Sequence, residues 1–137
     1  AFLGITMDTD APTLYRALIE GVTYEMMYNL EKLEEFGIFM SVLRAVGGGS
    51  KSPYWLQMKA DILGKTIVPL DLDEAGIAGT AMLSGVCCGV YPSLEEAEKL
   101  FVKKKQPYEP NPERHQVYLK QYQKFKTIRQ LIADVFK

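Results

Sequence analysis

Val46-Gly47-Gly48-Gly49-Ser50-Lys51-Ser52-Pro53-Tyr54-Trp55-Leu56-Gln57-Met58-Lys59-Ala60-Asp61-Ile62-Leu63-Gly64 is the stretch that decides the fold. Ser52 is placed to cap a helix and Pro53 to take its first position, where a missing N–H costs the helix nothing. Leu56, Ala60 and Leu63 recur at helical spacing, and Gly64 can end the helix in a left-handed conformation. Upstream, Ile38-Phe39-Met40-Ser41-Val42-Leu43-Arg44-Ala45-Val46 is short, mostly apolar and bounded by turn signals, as a buried strand would be. Downstream, Thr66-Ile67-Val68-Pro69-Leu70 reads as a second strand, whose proline predicts an edge position or a strand end. Strand, glycine turn, helix and strand in that order predict an α/β unit.

The glycines also make this corner the first place to look for chemistry. Without Cβ atoms, Gly47, Gly48 and Gly49 let a ligand lie on bare backbone, and helix-start N–H groups favour an anion or a planar base there. Two familiar phosphate motifs are absent. A P-loop needs Gly-Lys-Ser/Thr where this chain has Gly49-Ser50-Lys51-Ser52, and the dinucleotide fingerprint lacks its last glycine at Ser52. Local sequence alone leaves a ligand site and a purely structural tight connection both open.

Outside this unit the chain predicts helices. Thr9-Asp10-Ala11-Pro12 caps a helix whose apolar positions run from Leu14 to Leu33 and which Gly37 stops. Gly21 lies in its middle, where glycine costs about 1 kcal/mol relative to alanine, so a close neighbour is expected against it. A helix from about Glu74 to Cys88 is rich in small residues, including Gly76, Gly79 and Gly85, which predicts tight backbone packing. Ser93-Leu94-Glu95-Glu96 is a capping box for a helix that Pro107 closes, with Lys103, Lys104 and Lys105 at its far end. Asn111-Pro112-Glu113 begins a last helix, with Tyr118, Tyr122, Phe125, Ile132 and Val135 in one apolar stripe opposite a solvated face of Lys120, Lys124 and Lys126.

Composition narrows the function classes. The chain has 137 residues, 47% hydrophobic and 24% charged, which suits one ordinary globular domain over residues 1–137. A net charge of -1 and a sequence pI of about 5.9 give no field that favours nucleic acid or an anionic membrane. No run reaches the roughly 18 apolar residues that cross a bilayer, and no signal-peptide layout opens the chain, so a cytoplasmic location is expected. The chain starts on Ala1 in already patterned sequence, as an excised piece would. Cys87 and Cys88 are adjacent, cannot form a framework of bridges, and read as two small buried hydrophobes.

Four segments add a family resemblance. Val46 to Gly64 is similar to an adenosine-binding segment in which glycines are followed by Ser-Pro, an aromatic, Gln and Ala-Asp. Gly4-Ile5 followed by Leu14-Tyr15-Arg16-Ala17-Leu18-Ile19-Glu20-Gly21-Val22 resembles a signature ending in Glu-Gly, with Thr13 and Leu18 departing from it. Glu74-Ala75-Gly76-Ile77-Ala78-Gly79-Thr80-Ala81 and the tyrosine-rich Tyr108 to Tyr122 follow in the same order. All four resemble the FGGY carbohydrate kinases, looking closest to the xylulose and related sugar kinases.

That resemblance implies the C-terminal part of a two-domain sugar kinase with an actin-like, ribonuclease-H-like ATPase fold, helix-rich with a short sheet. It implies ATP with Mg2+ as cofactors and transfer of the γ-phosphate to a hydroxyl of a small sugar such as a pentulose. By carry-over, Gly47, Gly48 and Gly49 lie against the nucleotide with Ser50 and Ser52 nearby, while Trp55 and Gln57 hold the helix in place. The catalytic base of the family is an N-terminal-domain aspartate that no segment here matches, so no catalytic or metal-binding residue is assigned. Asp10 reads as a cap and Asp61 as structural; Asp8 and Asp73 are available carboxylates; His115 is expected to be a surface or hydrogen-bonded residue. A non-catalytic nucleotide- or partner-binding module of the same fold is the alternative, and a helical interaction domain a third reading. The sugar and the oligomeric state, homodimer included, are left open.

Overall fold

The computed structural model describes residues 1–72 and 74–135. The carboxylate of Asp10 accepts the Thr13 N–H at 2.9 Å and starts α1 (Ala11–Glu35), with a proline in the first turn. Phe36 caps its far end, and Gly37 then turns the chain with φ 81°. β1 (Val42–Ala45) leads into the glycine corner, after which Ser52 caps α2 (Pro53–Leu63) and Gly64 closes it at φ 62°. β2 (Thr66–Pro69) returns parallel to β1, with Val42 opposite Thr66 and Ala45 opposite Pro69. The parallel pair needs a crossover, and α2 is that crossover. Three more helices follow: α3 (Ala75–Cys87), α4 (Leu94–Phe101) and α5 (Pro112–Val135).

The core lies around α2, which packs on α1, α5 and β2. Leu56, Met58, Ala60, Ile62 and Leu63 of α2 are buried with Ile19 and Tyr24 of α1, Ile67 of β2, and Tyr118 and Tyr122 of α5. Tyr24 meets Tyr118 edge-on at 6.4 Å and lies 5.5 Å from Phe125, so α1 and α5 join through aromatic rings. Polar bonds frame that contact: Tyr122 donates to Glu31 at 2.8 Å, and Arg129 reaches Glu25 through Nε and Nη2, both at 3.0 Å.

A second lock joins the end of α2 to the start of α5. The Asp61 side chain is 4% exposed and accepts from Arg114 Nε at 2.8 Å, Gln57 Nε2 at 2.9 Å and the Asn111 N–H at 2.9 Å. Gln57 also donates to the Glu109 carbonyl, and His115 Nδ1 lies 2.8 Å from the Asp61 carbonyl. Asp61 is therefore structural and His115 hydrogen-bonded, as the sequence predicts.

Several expectations are corrected. The first strand spans four residues rather than nine and is half-exposed, with Ile38 and Phe39 outside it and open to solvent, because the ladder can be no longer than β2. α4 ends at Phe101 rather than at Pro107: the chain goes extended from Val102 and pairs with β2, Tyr108 opposite Ile67 and Lys104 opposite Leu70. Backbone pairing along an open strand edge wins there over further helix. Lys105 consequently bonds Asp71 at 2.9 Å instead of a helix end. The capping box is half formed: Ser93 accepts the Glu96 N–H at 3.3 Å, but the Glu96 carboxylate pairs with Lys99.

Gly21 meets no described atom within 4 Å of where a Cβ would sit, and neither do Gly76 and Gly79; of the α3 glycines only Gly85 is closely approached, by the Tyr91 ring. α3 packs on α4 and buries only Ala78, so Cys87 and Cys88 on its last turn are exposed rather than buried, both as free thiols. On α5, Ile132 is exposed, Lys126 lies over the Tyr122 ring at 4.8 Å and near Glu31, and only Lys120 and Lys124 keep the solvated face. Asp73 and the side chain of Val135 lie outside the described residues.

Tyr24 is 6% exposed and its hydroxyl has no hydrogen-bond partner among the described residues. A buried hydroxyl left unpaired costs about 1–3 kcal/mol. Tyr24→Phe is therefore expected to leave stability in urea unfolding unchanged or raised by about 1 kcal/mol, whereas Tyr122→Phe, which loses the bond to Glu31, lowers it by a similar amount. Asp61→Ala strands three donors and is expected to cost about 3 kcal/mol.

Candidate functional site

The corner between β1 and α2 is a single turn of 3-10 helix over Gly48–Ser50, preceded by Gly47 at φ 76° and ψ -169°. That backbone region is open to glycine almost alone, so Gly47 is fixed by conformation. The turn is closed by the Ser50 N–H to the Gly47 carbonyl at 3.0 Å and the Lys51 N–H to the Gly48 carbonyl at 3.1 Å. The N–H groups of Gly48 and Gly49 make no hydrogen bond to another described residue. They stand at the carboxyl end of β1, beside the N-terminus of α2.

The three glycines differ in what surrounds them. A Cβ on Gly47 or Gly48 would meet nothing within 4 Å, so their backbone is bare on that side. A Cβ on Gly49 would lie 2.9 Å from Trp55 Cζ3, 3.3 Å from Trp55 Cε3 and 3.4 Å from Lys59 Nζ. Gly49 is thus the face on which the turn rests against the protein, and Gly47 and Gly48 form the face it presents. The two serine hydroxyls are engaged locally: Ser50 Oγ donates to the Gly47 carbonyl at 2.7 Å, and Ser52 Oγ accepts the Trp55 N–H at 3.3 Å as the helix cap.

Trp55 secures the whole corner. Its Nε1–H donates to Thr23 Oγ1 at 3.1 Å, and the Thr23 hydroxyl donates in turn to the Ile19 carbonyl at 2.7 Å, a chain that ties the start of α2 to the middle of α1. The Lys59 ammonium lies over the indole at 4.1 Å from the ring centroid, and burial holds its pKa below the ordinary lysine value. Trp55 and Gln57 hold the helix, as expected. The parts that the sequence did not point to are Thr23 and Lys59. The signal for Lys59 was its spacing of four from Trp55, which places the two on one helix face.

Two concavities lie elsewhere. One of about 530 Å³ lies below the amino ends of the strands, lined by Glu34, Met40, Lys65 and Thr66 among others; the Lys65 ammonium there is already bonded to Glu34 at 2.8 Å and to the Met40 carbonyl at 2.7 Å. The other, about 400 Å³, lies between the first turns of α1 and α2, with Arg16 and Tyr54 in its wall. Neither concavity is lined by the glycine corner. No group of three or more His, Cys, Asp or Glu side chains able to hold a metal occurs among the described residues, and no helix among them is long and apolar enough to cross a membrane.

Known proteins place this architecture. The C-terminal domain model of the FGGY family of carbohydrate kinases matches residues 1–88. A xylulose kinase of Staphylococcus epidermidis is 32% identical over 98% of the chain, and an autoinducer-2 kinase of Salmonella typhimurium is 34% identical over 95%. The chain spans only 28% and 25% of those two proteins. Among solved structures, the ligand-bound xylulose kinase of Lactobacillus acidophilus superposes with a TM-score of 0.85 at 26% identity, over 97% of this chain and 27% of that one.

The rigid indole behind Gly49 makes a direct prediction. Gly49→Ala is expected to cost about 1–3 kcal/mol, because the ring is held by Thr23 and cannot yield freely, and to shift the fluorescence of Trp55. Gly48→Ala has open space and should leave that emission unchanged. Equal spectra for the two variants would contradict the packing described.

Proposed function

Because the chain belongs to the FGGY family of carbohydrate kinases and has that family's actin-like fold, we propose that it is the nucleotide-binding C-terminal part of an ATP-dependent sugar kinase. The observation that supports this reading is the bare backbone of Gly47 and Gly48, with unbonded N–H groups on Gly48 and Gly49, at the carboxyl end of a strand that enters a helix. A surface without side chains suits a flat base and ribose, and N–H donors beside a helix N-terminus suit phosphate. In this reading Gly47, Gly48 and Gly49 form the floor, and Ser50 and Ser52 act through the turn they stabilise. A Cβ at Gly48 would fill the space a ligand needs.

The proposed reaction is transfer of the γ-phosphate of ATP to a hydroxyl of a small sugar such as a pentulose. The named relatives act on different substrates, xylulose and autoinducer-2, so the acceptor is left at the level of a small sugar or related polyol. Phosphoryl transfer rests on positioning and charge neutralisation, and a Mg2+ ion bound with ATP would supply part of that neutralisation. The base that takes the hydroxyl proton lies outside this chain. What the chain's own residues do is hold the nucleotide's orientation: Trp55 and Thr23 fix the corner, and the corner fixes the ligand.

The test uses the full-length protein. ATP and ADP are expected to perturb the amides around Gly48 in a nucleotide titration, and a panel of small sugars should reveal ATP-dependent phosphorylation. Gly48→Ala should fold normally and lose nucleotide affinity by about tenfold or more. Unaltered affinity in that variant, or a complete protein with no aspartate-bearing N-terminal domain, would sink the proposal; binding without turnover on any sugar would favour a non-catalytic module of the same fold.

A further inference from the structure

We infer that Lys59 gives the glycine corner a preference for phosphorylated nucleotide over bare nucleoside, acting as a fixed positive charge behind the turn. This rests on the nucleotide reading above and goes beyond it by naming a residue outside the glycine segment and the part of the ligand it senses. Side chains of a helix lean toward its N-terminus, so a lysine two turns into α2 reaches back to the corner rather than out to solvent. Its Nζ lies 4.1 Å from the Trp55 ring centroid and 3.4 Å from the position of a Cβ on Gly49. The indole is itself fixed by its bond to Thr23, so the ammonium has a defined perch.

The charge is unanswered within the described chain. Lys32, Lys65, Lys99, Lys105 and Lys126 each pair with a carboxylate, but half-buried Lys59 forms no ion pair among the described residues. Burial disfavours its charged form, and no carboxylate among the described residues offsets that. Beside it are the N–H groups of Gly48 and Gly49, which make no bond to another described residue and carry partial charge of the same sign. An ammonium held a few ångströms under a turn in a partly desolvated place attracts phosphate oxygens on the other side of that turn, and is indifferent to the base.

The competing view is that Lys59 only packs its stem on Trp55. Lys59→Met keeps the stem and removes the charge; Lys59→Arg keeps both. In full-length protein, calorimetric affinities for ADP and for adenosine are compared at low and high salt. The expected result is that Lys59→Met weakens ADP about fivefold at low salt, leaves adenosine within about twofold, and flattens the salt dependence, while Lys59→Arg matches wild type. Equal losses for ADP and adenosine, or no loss for either, overturn the role of Lys59 while leaving the nucleotide site intact. Wild-type protein that binds neither ligand takes down the nucleotide reading and this inference together. An unchanged midpoint of thermal unfolding in both variants verifies that the corner itself has survived substitution.

Discussion

The indole of Trp55 is the constraint on which the rest of this structure depends. One edge bonds Thr23 in the middle of α1, another lies against the backbone of Gly49, and one face carries Lys59. A single rigid side chain thereby sets the spacing of α1 and α2 and the height of the glycine turn above both. The Thr23 hydroxyl is fully buried and donates to the Ile19 carbonyl, so both the indole N–H and this hydroxyl are paired. Burial of these polar atoms costs little because each is answered. Gly49 is glycine because a ring stands where a Cβ would go, and Gly47 because its backbone angles demand it; at Gly48 neither reason applies.

Around this corner the fold divides into a well-packed half and an open half. α2 is enclosed by α1, α5 and β2, and its end is clamped through Asp61 to Arg114, Asn111 and the carbonyl-bound His115. α3 and α4 instead lean mainly on each other and leave Ile77, Leu83, Leu94 and Leu100 exposed. The middle of α1 likewise shows Leu18 and Val22 beside Gly21. Isolated exposed apolar residues are ordinary, but here several fall on consecutive helices.

Much of this was legible in the sequence where the physics is local. Caps at Asp10, Ser52 and Ser93, the proline after Ser52 and the left-handed stop at Gly64 each act within one turn of chain, and each stands where its residue type predicted. The glycine corner was legible for the same reason: strand, glycines, cap and helix follow one another directly. What failed depended on partners far along the chain. The length of β1 is set by β2, the end of α4 by an open edge near Ile67, and the burial of Cys87 and Cys88 by what covers α3. Gly21 looked like a close-packing residue, and no described neighbour uses it. Within the site, neither the Thr23 bond to Trp55 nor the reach of Lys59 to Gly49 can be read from one dimension, since each joins elements whose relative placement only the fold supplies.

The extended segment after α4 has one more effect. By running antiparallel along β2, through the bridges at Leu70 and Ile67, it seals that side of the sheet with backbone of opposite sense. Among the described residues the outer margin of β1, Val42–Ala45, pairs with no further strand. That margin is flanked by uncovered Phe39 and Val46, so the unpaired backbone there stands beside exposed apolar side chains.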